Sequence, residues 1–111
     1  MNYTLFIDDY RCSLVLPAHL AISGKVITAR SRGDIEDIFT LYGRPSFISY
    51  DHDMTDMHYA GDYSDGNTGA DLASWITKLH GKIPYQVHSM NPEAPDRIAD
   101  AINRAIGNAN A

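Results

Sequence analysis

The sequence predicts an α/β domain of three layers, with a short parallel sheet of about four strands and helices on both faces. Three observations predict it. Four short runs of strand-forming residues alternate with apolar stripes at helical spacing. Capping residues, glycines and prolines stand where those helices must start or stop. Three of the runs end in polar clusters: Asp8-Asp9 with Arg11, Asp51-His52-Asp53, and His88-Ser89 with Asn91. In open parallel sheets ligands bind at the carboxyl ends of the strands, which is where such clusters would fall.

Tyr3 to Ile7 is the first strand, a run of strand formers ended by two aspartates that strands disfavour. Cys12 to Ser23 is ambiguous, because its apolar residues suggest a short helix that Pro17 interrupts. Lys25 to Ala29 is the second strand. Ile35, Ile38, Phe39 and Tyr42 then recur at helical spacing; Ser31 caps that helix, and Gly43 with Pro45 ends it. Ser46 to Tyr50 is the third strand. A long loop at 54–66 follows, whose Met54, Met57, Tyr59 and Tyr63 suit either a lid that stacks on a base or an insertion packed on the surface.

Leu72, Trp75, Ile76 and Leu79 form the next stripe, opened by Thr68 with Asp71 three residues on and closed by Gly81. The helical stripes are expected in the core. Tyr85 to His88 is the fourth strand. Asn91 caps and Pro92 starts a last helix with Ile98, Ile102 and Ala105 on one face, and residues 108–111 are expected to fray. Right-handed crossovers then place the first strand beside both the second and the third. One domain spanning 1–111 is expected from the length.

A net charge of -5 with no basic run argues against gripping long duplex nucleic acid and leaves a small nucleotide or an RNA end as the expected partner. No apolar run is long enough to span a bilayer, so no membrane association is expected. Met1-Asn2-Tyr3-Thr4 lacks the basic region and small-residue cleavage site of a signal peptide, so none is expected, and Cys12, read as an incidental thiol, has no partner for an intrachain disulfide. A cytoplasmic location follows as an expectation, the host's cytoplasm if the gene is carried by a phage.

The clustered residues suit chemistry on a phosphate. Opening a cyclic phosphodiester needs a water activated on one side and the departing oxygen protonated on the other. His52 and His88 suit both tasks, because imidazole titrates near neutral pH. Asp9 or Asp53 would hold an imidazole in its working tautomer. Arg11 offers a planar fork to phosphate oxygens, and Ser89 and Asn91 add donors at a helix start. Thr68 is a further candidate substrate contact, although capping its helix is its first role. Asp8, Asp9 and Asp51 are hard oxygen ligands of the kind that magnesium or manganese takes; if a histidine also coordinates, manganese, iron or zinc fits. The same residues also read without a metal, with Asp8 and Asp9 ending a strand and Asn91 only capping a helix. Convergence of two histidines, several acids and an arginine at three strand ends favours a site.

Leu5-Phe6-Ile7-Asp8-Asp9-Tyr10-Arg11, Ser49-Tyr50-Asp51-His52-Asp53, Thr68-Gly69-Ala70-Asp71-Leu72 with Trp75-Ile76, and Val87-His88-Ser89-Met90-Asn91-Pro92 together resemble a family of cyclic-phosphate-processing receiver-like domains. The resemblance implies a receiver-like, flavodoxin-like fold and action on cyclic phosphates, such as those at RNA ends or in nucleotides. The loop at 54–66 is longer than that family's usual connection. A phosphoacceptor receiver would also need a lysine on a fifth strand, for which the chain has no candidate. The expected function is therefore a phosphoesterase acting on 2′,3′-cyclic phosphate RNA ends or cyclic nucleotides. The alternative is a non-catalytic nucleotide-binding or degenerate receiver module that sequesters a phosphorylated ligand or regulates a partner.

Overall fold

The computed structural model describes residues 3–8, 25–51, 68–88 and 92–110, the last three of these by their backbone alone. Four strands, β1 (Tyr3–Ile7), β2 (Lys25–Ala29), β3 (Phe47–Tyr50) and β4 (Tyr85–Val87), form one sheet of order β2-β1-β3-β4. Every pairing is parallel, so β1 lies between β2 and β3 as the crossovers require. Three helices accompany the sheet: α1 (Arg32–Tyr42), α2 (Gly69–His80) and α3 (Ala94–Asn110). This is the expected receiver-like arrangement. No helix among the described residues is long and apolar enough to cross a membrane.

Local chemistry sets the helix ends. Ser31 adopts an extended conformation and its side chain accepts from the Asp34 amide, filling one donor that the first turn of α1 leaves unpaired. Thr68 does the same for α2 in a complete capping box with Asp71. Gly43 and Gly81, at φ 80° and 78°, end these helices in a backbone region that disfavours side chains, and their amides bond back to the Phe39 and Thr77 carbonyls at 2.9 Å. The last helix begins at Ala94 rather than at Pro92. Pro92 and Glu93 form a turn, and the Glu93 carbonyl accepts the Arg97 amide at 3.1 Å, the bond that opens the helix. Its backbone stays helical through Asn110.

Alternation along the strands sorts the residues onto two faces. Tyr3, Leu5 and Ile7 of β1 join Ile48 and Tyr50 of β3 in one apolar cluster, completed by Ile35 and Ile38 of α1, Leu72, Ala73 and Ile76 of α2, and Ile98 and Ile102 of α3. Each leucine or isoleucine among them, removed from water, contributes about 1.5–3 kcal/mol. Not every residue of the helical stripes is buried: Leu79 is 62% exposed, and Tyr42 lies at the edge of the core. Both sit in the last turns of their helices, and Tyr42 meets the Tyr3 ring edge-on at 6.1 Å. The opposite parity gives Thr4, Phe6 and Asp8 on β1 and Ser49 and Asp51 on β3, all buried, with Gln86 and His88 beside them on β4. The connection after β1 and the loop at 54–66 lie outside the described residues.

Candidate functional site

Asp8, Asp51 and His88 form one row across the carboxyl ends of three neighbouring strands. The register Ile7↔Tyr50↔Val87 puts the next residues of β1, β3 and β4 side by side. Backbone bonds carry the ladder that one step further: the Asp51 amide donates to the Ile7 carbonyl at 3.1 Å and the His88 amide to the Tyr50 carbonyl at 2.9 Å. On the other side of β1, the Asp8 amide donates to the Ala29 carbonyl at 3.1 Å, which brings Arg30 of the β2 end alongside. A parallel sheet aligns these residues because its strands all finish at the same edge.

Side chains close the row into a cluster. Asp8 and Asp51 are 1% and 4% exposed, so two carboxylates are held almost entirely away from water. His88 Nε2 lies 3.0 Å from Asp8 Oδ2, and one ligand atom each from Asp8, Asp51 and His88 falls within 4.8 Å of the other two. Its other ring nitrogen, Nδ1, is 2.6 Å from Ser49 Oγ, and Gln86 Nε2 donates to that same oxygen at 3.2 Å. The imidazole also lies stacked on the ring of Phe6, with centroids 4.3 Å apart and planes at 19°. Two in-plane hydrogen bonds and a stacked face fix the ring in position and orientation. Buried acids beside a fixed imidazole can hold a divalent cation or manage a proton, since isolated charges are costly in such surroundings.

Thr68, a candidate substrate contact from the sequence, is buried in its helix cap: its hydroxyl donates to Asp71 Oδ2 at 2.8 Å and accepts from the Asp71 amide at 3.2 Å. Asp9, Arg11, His52, Asp53, Ser89 and Asn91 lie outside the described residues. Within them, the structure brings together three of the sequence candidates, Asp8, Asp51 and His88, across 80 residues of chain. Sequence reasoning passed over Phe6, Ser49, Gln86 and Arg30. The first three stand two residues before Asp8, Asp51 and His88, on the same face of each strand, and that spacing was the available signal. Arg30 is exposed; its amide donates to Asp34 Oδ2 at 2.9 Å, which ties the β2 end to the first turn of α1.

A family model described as "Cyclic-phosphate processing Receiver domain" matches residues 3–104. No curated protein and no solved structure matches the chain.

Proposed function

Because the chain belongs to the cyclic-phosphate-processing receiver family, we propose that it is a phosphoesterase that opens cyclic phosphodiesters, either 2′,3′-cyclic phosphate RNA ends or cyclic nucleotides. The observation that carries this reading is the His88 imidazole fixed between Ser49 and the buried Asp8 at the strand ends. Hydrolysis forms a bond from water oxygen to phosphorus and breaks one ring P–O bond; one proton leaves the water and one reaches the departing oxygen. His88 is the proposed carrier of one of these protons, with Asp8 stabilising the imidazolium. His52, next in sequence to Asp51, is the proposed carrier of the other.

In a second form, in which His88 coordinates instead of carrying a proton, the donor set fits a divalent cation. Asp8, Asp51 and His88 Nε2 would hold it, a mixture of oxygen and nitrogen that suits manganese, zinc or iron better than magnesium. Asp9, adjacent to Asp8 in sequence, is a further proposed ligand. Such an ion supplies acidification of a bound water and neutralisation of phosphate charge. Arg30, on the same row as Asp8, is the proposed contact to the anionic substrate from the β2 side, alongside Arg11.

Product analysis by chromatography tests this reading, using 2′,3′-cyclic mononucleotides, cyclic-ended oligonucleotides and cyclic dinucleotides with and without manganese. Ring opening by the wild type that is lost in His88→Ala and His52→Ala supports it. A ligand retained without any product would instead favour a module that sequesters a phosphorylated ligand.

A further inference from the structure

We propose that the seam between α1 and α2 binds a small amphipathic anion, with its apolar body in a groove between the helices and its charged group on Arg32. The groove lies on the face of the sheet that carries Tyr3, Leu5 and Ile7, away from the Phe6 face where His88 is held.

Helix spacing leaves room for such a body. α2 packs closely along α3, whereas α1 stands further off from α2. Side chains bridge this wider seam at two places: the Arg32 guanidinium lies 4.8 Å over the Trp75 ring, and Phe39 stacks on His80 with centroids 4.4 Å apart. The groove has a volume of about 440 Å³, within the usual size of small-ligand sites. Buried Ile35 and Ile76 line it beside half-buried Phe39 and Trp75 and the exposed Leu79. Two aromatic and three aliphatic side chains favour an apolar body. Leu79, a large apolar side chain otherwise left in water, gains cover from it.

Arg32 sets the charge of the ligand. It precedes Ile35 and Phe39 on one stripe of α1, and so continues the lining of the groove to the end nearest the carboxyl edge of the sheet. Among the described residues no acid pairs with it, whereas Arg97 and Arg104 each hold an acid one turn away at 2.9 Å. Its Nε is the one buried side-chain nitrogen or oxygen among the described residues that has no hydrogen-bond partner. Stacking on an indole occupies the face of a guanidinium and leaves its in-plane N–H groups in need of acceptors. A buried donor without an acceptor is costly, so this one calls for a group that supplies it. A carboxylate or a phosphate does so, and matches two N–H groups of the fork at once. Glu36, exposed along the groove, repels a second negative charge and confines the anionic group to the Arg32 end.

Trp75 is the single tryptophan of the chain, so its fluorescence and its indole N–H signal in NMR report on the groove directly. The probes are octanoate, octyl phosphate and octanol, with inorganic phosphate as the control that lacks an apolar body. The proposal expects a saturable change with octanoate and octyl phosphate, and binding of octanol weaker by about 10-fold or more. Whichever anion binds tighter identifies the head group. Arg32→Gln should bring both anions down to the octanol level, and Leu79→Gln, at an exposed position, should weaken all three probes. Octanol binding as tightly as octanoate would overturn the proposal, because Arg32 would then select nothing. Inorganic phosphate producing the same change at the same concentration would overturn it by leaving the groove no part. No saturable change with either anion at millimolar concentration would overturn it outright. These wild-type titrations decide the matter whether or not the variants fold.

Discussion

The ring of His88 lies stacked on the ring of Phe6, 4.3 Å away and 19° from parallel, so a fully buried β1 aromatic supports the imidazole that projects from the end of β4. Phe6 pairs in register with Ser49, which pairs with Gln86. One cross-strand row thus supports the face of the imidazole and holds its Nδ1 edge. Phe6→Leu keeps most of the apolar volume and removes the flat platform. It should cost about 1 kcal/mol of stability and lower kcat more than it raises KM, because the ring loses its alignment. Steady-state kinetics beside a thermal melt would check this, and unchanged kcat in a folded variant would show that the stack does not position His88.

Thr68 separates two roles cleanly. If it serves α2 only as the cap seen with Asp71, Thr68→Ala should cost about 1 kcal/mol and leave substrate affinity unchanged. A melting shift without a KM change is the expected result. A tenfold rise in KM with no loss of stability would make the hydroxyl a substrate contact instead.

Arg30 is exposed and stands on the row of Asp8. Arg30→Ala should leave the melting temperature within about a degree, as surface substitutions usually do, while raising KM for an anionic substrate roughly tenfold at low salt. Kinetics at two ionic strengths would show the difference shrinking as salt rises. An unchanged KM would assign phosphate recognition to other groups.

Alkali should unfold the protein through its buried phenols. Burial pushes Tyr3 up to about 12. Burial, and then repulsion from Tyr85, raises Tyr50 further. Unfolded tyrosines lose their proton near pH 10, whereas the folded chain keeps these protons. The stabilisation is thus fully present below about pH 10 and is lost as pH rises through the folded values. Thermal melts from pH 7 to 12 should be flat at first and then fall, more gently in Tyr50→Phe. A level profile to pH 12 would contradict the burial of these phenols.

Much of the architecture was legible because it is written in local signals. Ser31 with Gly43, and Thr68 with Gly81, bracket α1 and α2 where the capping rules put them. Strand formers ending at Asp8 and Asp51 marked the edge of the sheet where the site lies. Burial at the helix ends was less legible, since the period that placed Leu79 on the apolar face does not say whether anything packs over it, and Leu79 is exposed. His80, in the last turn of α2, stacks on Phe39 at 4.4 Å, a contact between helices that no sequence window contains. Ser49 and Gln86 were missed for a related reason. In strands of four and three residues, alternation is too short to separate a polar residue facing the site from one facing water, and register alone brings them to His88.

The central claim is that the Asp8–His88 pair performs hydrolysis of a cyclic phosphate, and the most direct measurement is chromatographic product analysis of the 2′,3′-cyclic nucleotide panel with the wild type, His88→Ala and Asp8→Asn, each shown to be folded. The account predicts conversion to a phosphomonoester by the wild type and a fall of at least about 100-fold in both variants. Equal turnover in all three proteins, or ligand bound and recovered intact by the wild type, would contradict it.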